Sequence, residues 1–277
     1  MHVFIFIALL ALFVQNYALN NNLTLSDIKS YADFKEFYPF EITKKYPTIL
    51  SFIELLDKEG DFETINEQVT EYAKNKGYCS NKSSDAIPYT LMVVTDMQKA
   101  FMSNGPVAVN GAEDAIYYIN EAEKHFGKTC HSVDSHGLWS RSFSLNPNYL
   151  DTFYPHSIPG DDSFNEVDGL DTCADAYFGK VEFAITSNPL FKEYLLKNDI
   201  TKVTFTGVAG DYCVNAGILG VLDDPELSHI QVSLYEPGVK WVFPDSIISQ
   251  KSNLERYSNF RWIYNIEGLL SFLNLEI

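Results

Sequence analysis

Three residues combine the right chemistry with a common setting, each at the end of a short apolar run that reads as a strand. Cys213 lies in Gly207-Val208-Ala209-Gly210-Asp211-Tyr212-Cys213-Val214, in the first turn of a helix that follows a strand and a glycine-containing loop. There the helix dipole favours thiolate over thiol, and backbone N–H groups face whatever the sulfur attacks. Asp96 follows Leu91 to Thr95, and Lys180 falls in Phe178-Gly179-Lys180-Val181-Glu182-Phe183. A neighbouring lysine lowers a thiol pKa further, and a carboxylate can carry the proton from thiol to leaving amine. Together the three predict nucleophilic acyl transfer. Taken singly, each has an ordinary explanation as a turn carboxylate, a surface charge or a small core residue.

A second cluster has the character of metal ligands. In Ser132-Val133-Asp134-Ser135-His136, Asp and His alternate, so on extended backbone they point the same way. His156, in Tyr154-Pro155-His156, completes a two-histidine, one-carboxylate set with coordination positions left for water or substrate. His125, His131 and His229 lack such company and read as surface or helix-end residues.

These residues need a scaffold that brings strand ends together. After Pro88, apolar strands alternate with amphipathic helices. Leu91 to Val94 and Lys202 to Val208 read as strands, and Ile230 to Tyr235 as the last one. Gly111 to Phe126 reads as a helix with Ala115, Ile116, Ile119 and Ala122 on one side, and a C-terminal amphipathic helix ends near Leu273. Asn188-Pro189 supplies a helix N-cap with Pro at the first helical position. The alternation predicts an α/β fold, a mostly parallel sheet with helices on both faces, in which ligands sit beyond the carboxyl ends of the strands. Leu23 to Tyr78 reads as helical, with Ile49, Leu50, Ile53 and Leu56 on one face and Ile65, Val69 and Tyr72 on another.

The expected organisation is a signal peptide over 1–18, a helical extension and linker over 19–87, and the main domain over 88–277. The leader reading rests on the apolar run Val3 to Val14 followed by Ala18, too short to span a bilayer comfortably. Sequons at Asn22 and Asn81 suit passage through a secretory lumen, so the expected location is secreted or endomembrane, with no stable membrane span in the mature chain. If Cys213 stays a free thiol, at most one disulfide forms among Cys79, Cys130 and Cys173. A net charge of -17 over 277 residues argues against nucleic acid as a partner and says little about a small neutral substrate. Association into a homo-oligomer stays open.

In order, these segments resemble the nicotinamidase branch of the isochorismatase-like cysteine hydrolases, over about Tyr89 to Tyr235. Val94-Thr95-Asp96-Met97-Gln98-Lys99-Ala100-Phe101 resembles the family's opening Asp-x-Gln-x-x-Phe element, Asp134-Ser135-His136 its Asp-Trp-His element, and Tyr154-Pro155-His156 its Trp-Pro-x-His element. The resemblance implies Asp96, Lys180 and Cys213 as a catalytic triad. It implies Asp134, His136 and His156 as ligands of a divalent metal, zinc in the first instance, that orients the substrate. It further implies a cis peptide between Val208 and Ala209, an oxyanion hole from the amides of Ala209 and Cys213, and Phe101, Tyr154 and Tyr212 around the substrate ring. Ser135 and Ser140 stand where Trp and a second His are usual, Gly210 where Thr or Ser is, and Val181 where Gly commonly follows the lysine. The activity implied is hydrolysis of nicotinamide to nicotinate and ammonia through a thioester. The alternatives are a relative acting on another small amide or ether, and an inactive secreted binding protein on the same fold.

Overall fold

The structure, a computed structural model, describes residues 62–274 apart from 79–83, 85, 138–139, 141, 145–146, 151 and 172–173. The leader, both sequons, Cys79, Cys173 and the helical face from Ile49 to Leu56 therefore lie outside the described residues.

Six parallel strands, β1 (Ile87–Thr95), β2 (Phe126–Asp134), β3 (Ala176–Lys180), β4 (Lys202–Gly207), β5 (Gln231–Val239) and β6 (Phe260–Ile263), form one sheet in the order β3-β2-β1-β4-β5-β6. The order reverses between β1 and β4, so a crevice opens at their carboxyl ends. The helices are α1 (Phe62–Lys76), α2 (Asp114–Glu123), α3 (Pro189–Lys197), α4 (Asn215–Leu222), α5 (Ile247–Leu254) and α6 (Ile266–Asn274).

The central strands are apolar on both sides because both faces are covered. Along β1, Leu91 and Val93 join one core with Phe191 and Leu195 of α3, Ile218 and Val221 of α4, and Leu254 of α5. Met92 and Val94, which point the other way, join a second core with Ala115, Ile119 and Ala122 of α2 and Leu269 and Phe272 of α6. The α3 start is as its sequence predicts: the Asn188 side chain accepts from the Leu190 amide, with Pro189 in the first turn. The helix expected over 111–126 is shorter, because Phe126 already belongs to β2, fully buried beneath α2. A further correction is β6, which with α5 follows the strand expected to be the last.

The described part of the N-terminal extension, α1, packs over the β2–β3 edge. Ile65 and Val69 bury against Val133 and Phe164, with Tyr72, Tyr177 and Val181 around them. His131 is another correction. It is buried in β2, with its Nδ1 paired to the buried Glu166 carboxylate.

Candidate active site and metal-ligand set

All the singled-out polar groups lie at the carboxyl edge of the sheet: Asp96 directly after β1, Asp134 at the end of β2, Lys180 at the end of β3, and Cys213 in the turn after β4. Lys180 is fully buried, and its Nζ lies 2.8 Å from Asp96 Oδ2, 3.1 Å from Asp134 Oδ1 and 3.5 Å from Cys213 Sγ. The structure thus brings the carboxylate, ammonium and thiol into one contact group. Asp96 has a φ of +49° and is held by its amide, which donates to Ser132 O, and by Ser132 Oγ, which donates to its Oδ1 at 2.9 Å.

The turn that carries Cys213 is built by close approach. Gly207 has a φ of +97°, and a Cβ there would lie 2.0 Å from the Thr95 carbonyl oxygen, so only glycine lets β4 leave the sheet against the end of β1. The Val208–Ala209 peptide is cis. Gly210 through Val214 form a wide turn closed by Val214 N–H donating to Ala209 O, and α4 follows. Gly210 is pressed under Trp241, where a Cβ would meet the indole at 2.5 Å, so the residue in place of the usual Thr or Ser has a packing cause. Asp211 accepts from the amides of Val242 and Phe243, pinning this turn to the loop after β5. The amides of Gly210, Tyr212 and Val214 donate to Lys240 O and Ala209 O.

The electrostatics follow from one ammonium shared among two carboxylates and a thiol without water around them. Burial pushes the Cys213 thiol well up, Lys180 pulls it down, and the negative Asp96 and Asp134 push it up again. Burial likewise raises the Asp96 carboxyl against the pull of Lys180. Burial works against the Lys180 charge, but Asp134 and Asp96 hold its pKa well above the usual value. Against the pull expected from the helix terminus and the lysine, burial and the two carboxylates push the thiol pKa up in this dry setting.

Asp134, His136 and His156 are buried, with their ligand atoms all within 4.8 Å of one another. Both imidazole Nε2 atoms lie 3.1 Å from Asp134 Oδ2. Their Nδ1 atoms are engaged elsewhere, that of His156 donating to Tyr154 O at 2.6 Å and that of His136 lying 3.0 Å from Ser140 Oγ, itself 2.7 Å from Ser142 Oγ. Such outer contacts fix ring orientation and leave the two Nε2 atoms converging on one point, as a divalent ion requires. Burial lowers the His136 pKa, which keeps a lone pair for a metal. For Asp134 burial acts the other way, yet His136 and Lys180 hold its carboxyl well below the usual range. The donor set fits a divalent cation.

Of the expected ring-binding aromatics, Phe101 sits edge-on to His156 at 5.7 Å, and Tyr212 lies 6.1 Å from Phe153 and 5.4 Å from Phe183. The Tyr154 ring instead packs against Tyr149, and its contact with the histidines runs through its carbonyl. Three participants were assigned no role from the sequence. Phe143 lies 5.0 Å from His136 and 5.4 Å from His156, and Phe153 lies 6.2 Å from His156. Gln98 clamps the backbone of Asp134, its amide nitrogen donating to Asp134 O and its oxygen accepting from Asp134 N–H. Its place two residues after Asp96 was the available signal.

Fold and site together define a doubly wound α/β protein with a buried cysteine–ammonium–carboxylate group beside a metal-ligand set. Residues 90–224 match the isochorismatase domain, and the sheet and helices over this span have the isochorismatase-like α/β fold. Among solved structures it is similar to a nicotinamidase-pyrazinamidase of Acinetobacter baumanii, at 18% identity and a TM-score of 0.54 over 63% of this chain and 95% of that one. A pyrazinamidase of Pyrococcus horikoshii in complex with zinc aligns at 20% identity and a TM-score of 0.55, over 64% of this chain and 100% of that one. PnC1 from L. infantum in complex with nicotinate aligns at 20% identity and 0.54, over 66% and 99%. At these identities the likeness is one of fold. No curated protein sequence matches the chain.

Proposed function

We propose that the chain is a metal-dependent nicotinamidase, hydrolysing nicotinamide to nicotinate and ammonia. The observation that carries the reading is the meeting of Lys180 Nζ with Asp96 Oδ2 at 2.8 Å and Cys213 Sγ at 3.5 Å, next to Asp134, His136 and His156. Two structures of the same fold named nicotinamidase-pyrazinamidase and pyrazinamidase, the second with zinc, and a third in complex with nicotinate support the substrate class.

In this reading Asp96 takes the Cys213 proton as the sulfur adds to the carboxamide carbon, and the amides of Ala209 and Cys213 hold the oxyanion. Lys180 keeps the sulfur and Asp96 in register. Asp96 returns the proton to the departing nitrogen, so that the C–N bond breaks, ammonia leaves and a thioester remains. Asp96 then accepts a proton from the attacking water, and the acid is released as the sulfur regains its proton. Asp134, His136 and His156 would hold the divalent ion, which would supply a Lewis acid for the ring nitrogen and so orient the amide. Phe101, Phe143 and Tyr212 border the space for the ring.

The test is ammonia release from nicotinamide. Turnover is expected, falling with a chelator and restored by zinc, and Cys213→Ala is expected to abolish it while the circular dichroism spectrum stays unchanged. Retained turnover in Cys213→Ala would reject the mechanism. A second reading, hydrolysis of another small amide, draws on Ser135 and Ser140 at positions where Trp and His are usual. Activity on other carboxamides with none on nicotinamide would favour it.

A further inference from the structure

The helix α1 lies ahead of the matched residues 90–224, yet it contacts residues that adjoin both polar groups of the site in the chain. Ile65 and Val69 press on Gly179, where a Cβ would meet Ile65 Cγ2 at 2.4 Å and Val69 Cγ2 at 2.6 Å, and Gly179 is the residue before Lys180. Asn66 Oδ1 accepts from Asn188 Nδ2 at 2.9 Å, and the same nitrogen donates to Gly179 O at 2.9 Å. Asn188 is fully buried and caps α3, so this amide ties α1, the end of β3 and the start of α3 at one point. Gln68 Oε1 accepts from Ser135 Oγ at 3.4 Å, and Ser135 sits between Asp134 and His136 while its own amide donates to Lys180 O. Tyr72 donates to Glu166 Oε2 and accepts from the Glu166 amide, while Lys76 lies 3.6 Å from the same carboxylate. Ser135 and Val181, two positions where the sequence departs from the family pattern, both face α1.

We propose that α1 is a positioning element of the hydrolytic site, with Asn66 setting the end of β3, and so Lys180, through Asn188 and Gly179, and Gln68 setting the Asp134–His136 segment through Ser135. The proposal rests on the functional reading above. It makes the N-terminal extension part of the working enzyme rather than an appendage. A single amide-to-amide contact at the root of Lys180 moves Nζ relative to both sulfur and carboxylate, and small misplacements of a reacting group weigh heavily on the chemical step.

The experiment uses the full chain with Asn66→Leu, Asn66→Asp and Gln68→Ala. Asn66→Leu removes the acceptor and is expected to lower kcat on nicotinamide about tenfold with KM unchanged, whereas Asn66→Asp keeps an oxygen in place and stays within about twofold. Unchanged kcat in Asn66→Leu, per mole of folded protein, overturns the assignment of Asn66. Gln68→Ala, read by calorimetric titration of zinc, is expected to weaken zinc binding about tenfold, and unchanged affinity overturns the assignment of Gln68. The titration needs no turnover and judges Gln68 by itself; if Asn66→Leu does not fold, Asn66→Ala read by the same kcat comparison decides the assignment of Asn66. A parent that hydrolyses no nicotinamide but binds zinc refutes the functional reading alone, and the titration then judges α1 separately. A parent that does neither overturns both.

Discussion

At the scale of single residues, Lys180 is the group whose loss is felt most. Among the described residues it is the one lysine in contact with two buried carboxylates, and removing one partner of such a group leaves uncompensated charge. Lys180→Met is expected to lower unfolding stability by about 3–5 kcal/mol and to abolish turnover, read from the denaturant midpoint at neutral pH. Acidification, which protonates Asp96 and Asp134, should narrow the gap to the parent. Gln98 acts on the backbone. Gln98→Ala would leave the buried Asp134 amide without its acceptor, a cost of about 1–3 kcal/mol, and is expected to weaken zinc binding more than it lowers kcat at saturating metal. Equal losses in both would point to general loosening of the site.

At the scale of elements, Glu166 is the electrostatic anchor of α1. Burial raises its carboxyl, but His131, Lys76 and Tyr72 outweigh this and hold its pKa below the ordinary glutamate value. A depressed carboxyl stabilises the fold fully above its unfolded pKa of about 4.3 and loses that contribution as pH falls through the lower folded value. Protection of α1 amides from hydrogen exchange should accordingly weaken below about pH 4.3 in the parent and depend less on pH in Glu166→Gln. How much of this was legible depended on sequence distance. The α3 cap, the strand ends bearing Asp96 and Lys180, and the α1 face of Ile65, Val69 and Tyr72 could be read because their determinants are local. The burial of His131 could not, because Glu166, its partner, is 35 residues away. Nor could the surroundings of the Cys213 thiol, where desolvation and charges from the ends of β1, β2 and β3 act on it. The short β6 escaped notice because Phe260–Ile263 carries too few residues for a pattern.

At the scale of the molecule, the polar groups come from the ends of four strands and meet only when the whole sheet is formed. Activity should therefore be lost together with global unfolding. The leader reading makes a separate prediction at this scale: protein collected from the medium of a eukaryotic expression host is expected to begin at Leu19, after cleavage behind Ala18, by N-terminal sequencing. An N-terminus at Met1 on exported protein would refute it.

The indole of Trp241 rests on Gly210, three residues before Cys213, and stacks on Trp262 at 5.8 Å with a 17° interplanar angle. Any shift of the turn bearing the sulfur must disturb that stacked pair. The protein thus carries its own optical probe: the ultraviolet emission of these two indoles should follow the arrival and departure of small molecules at the sulfur in real time, with no added dye.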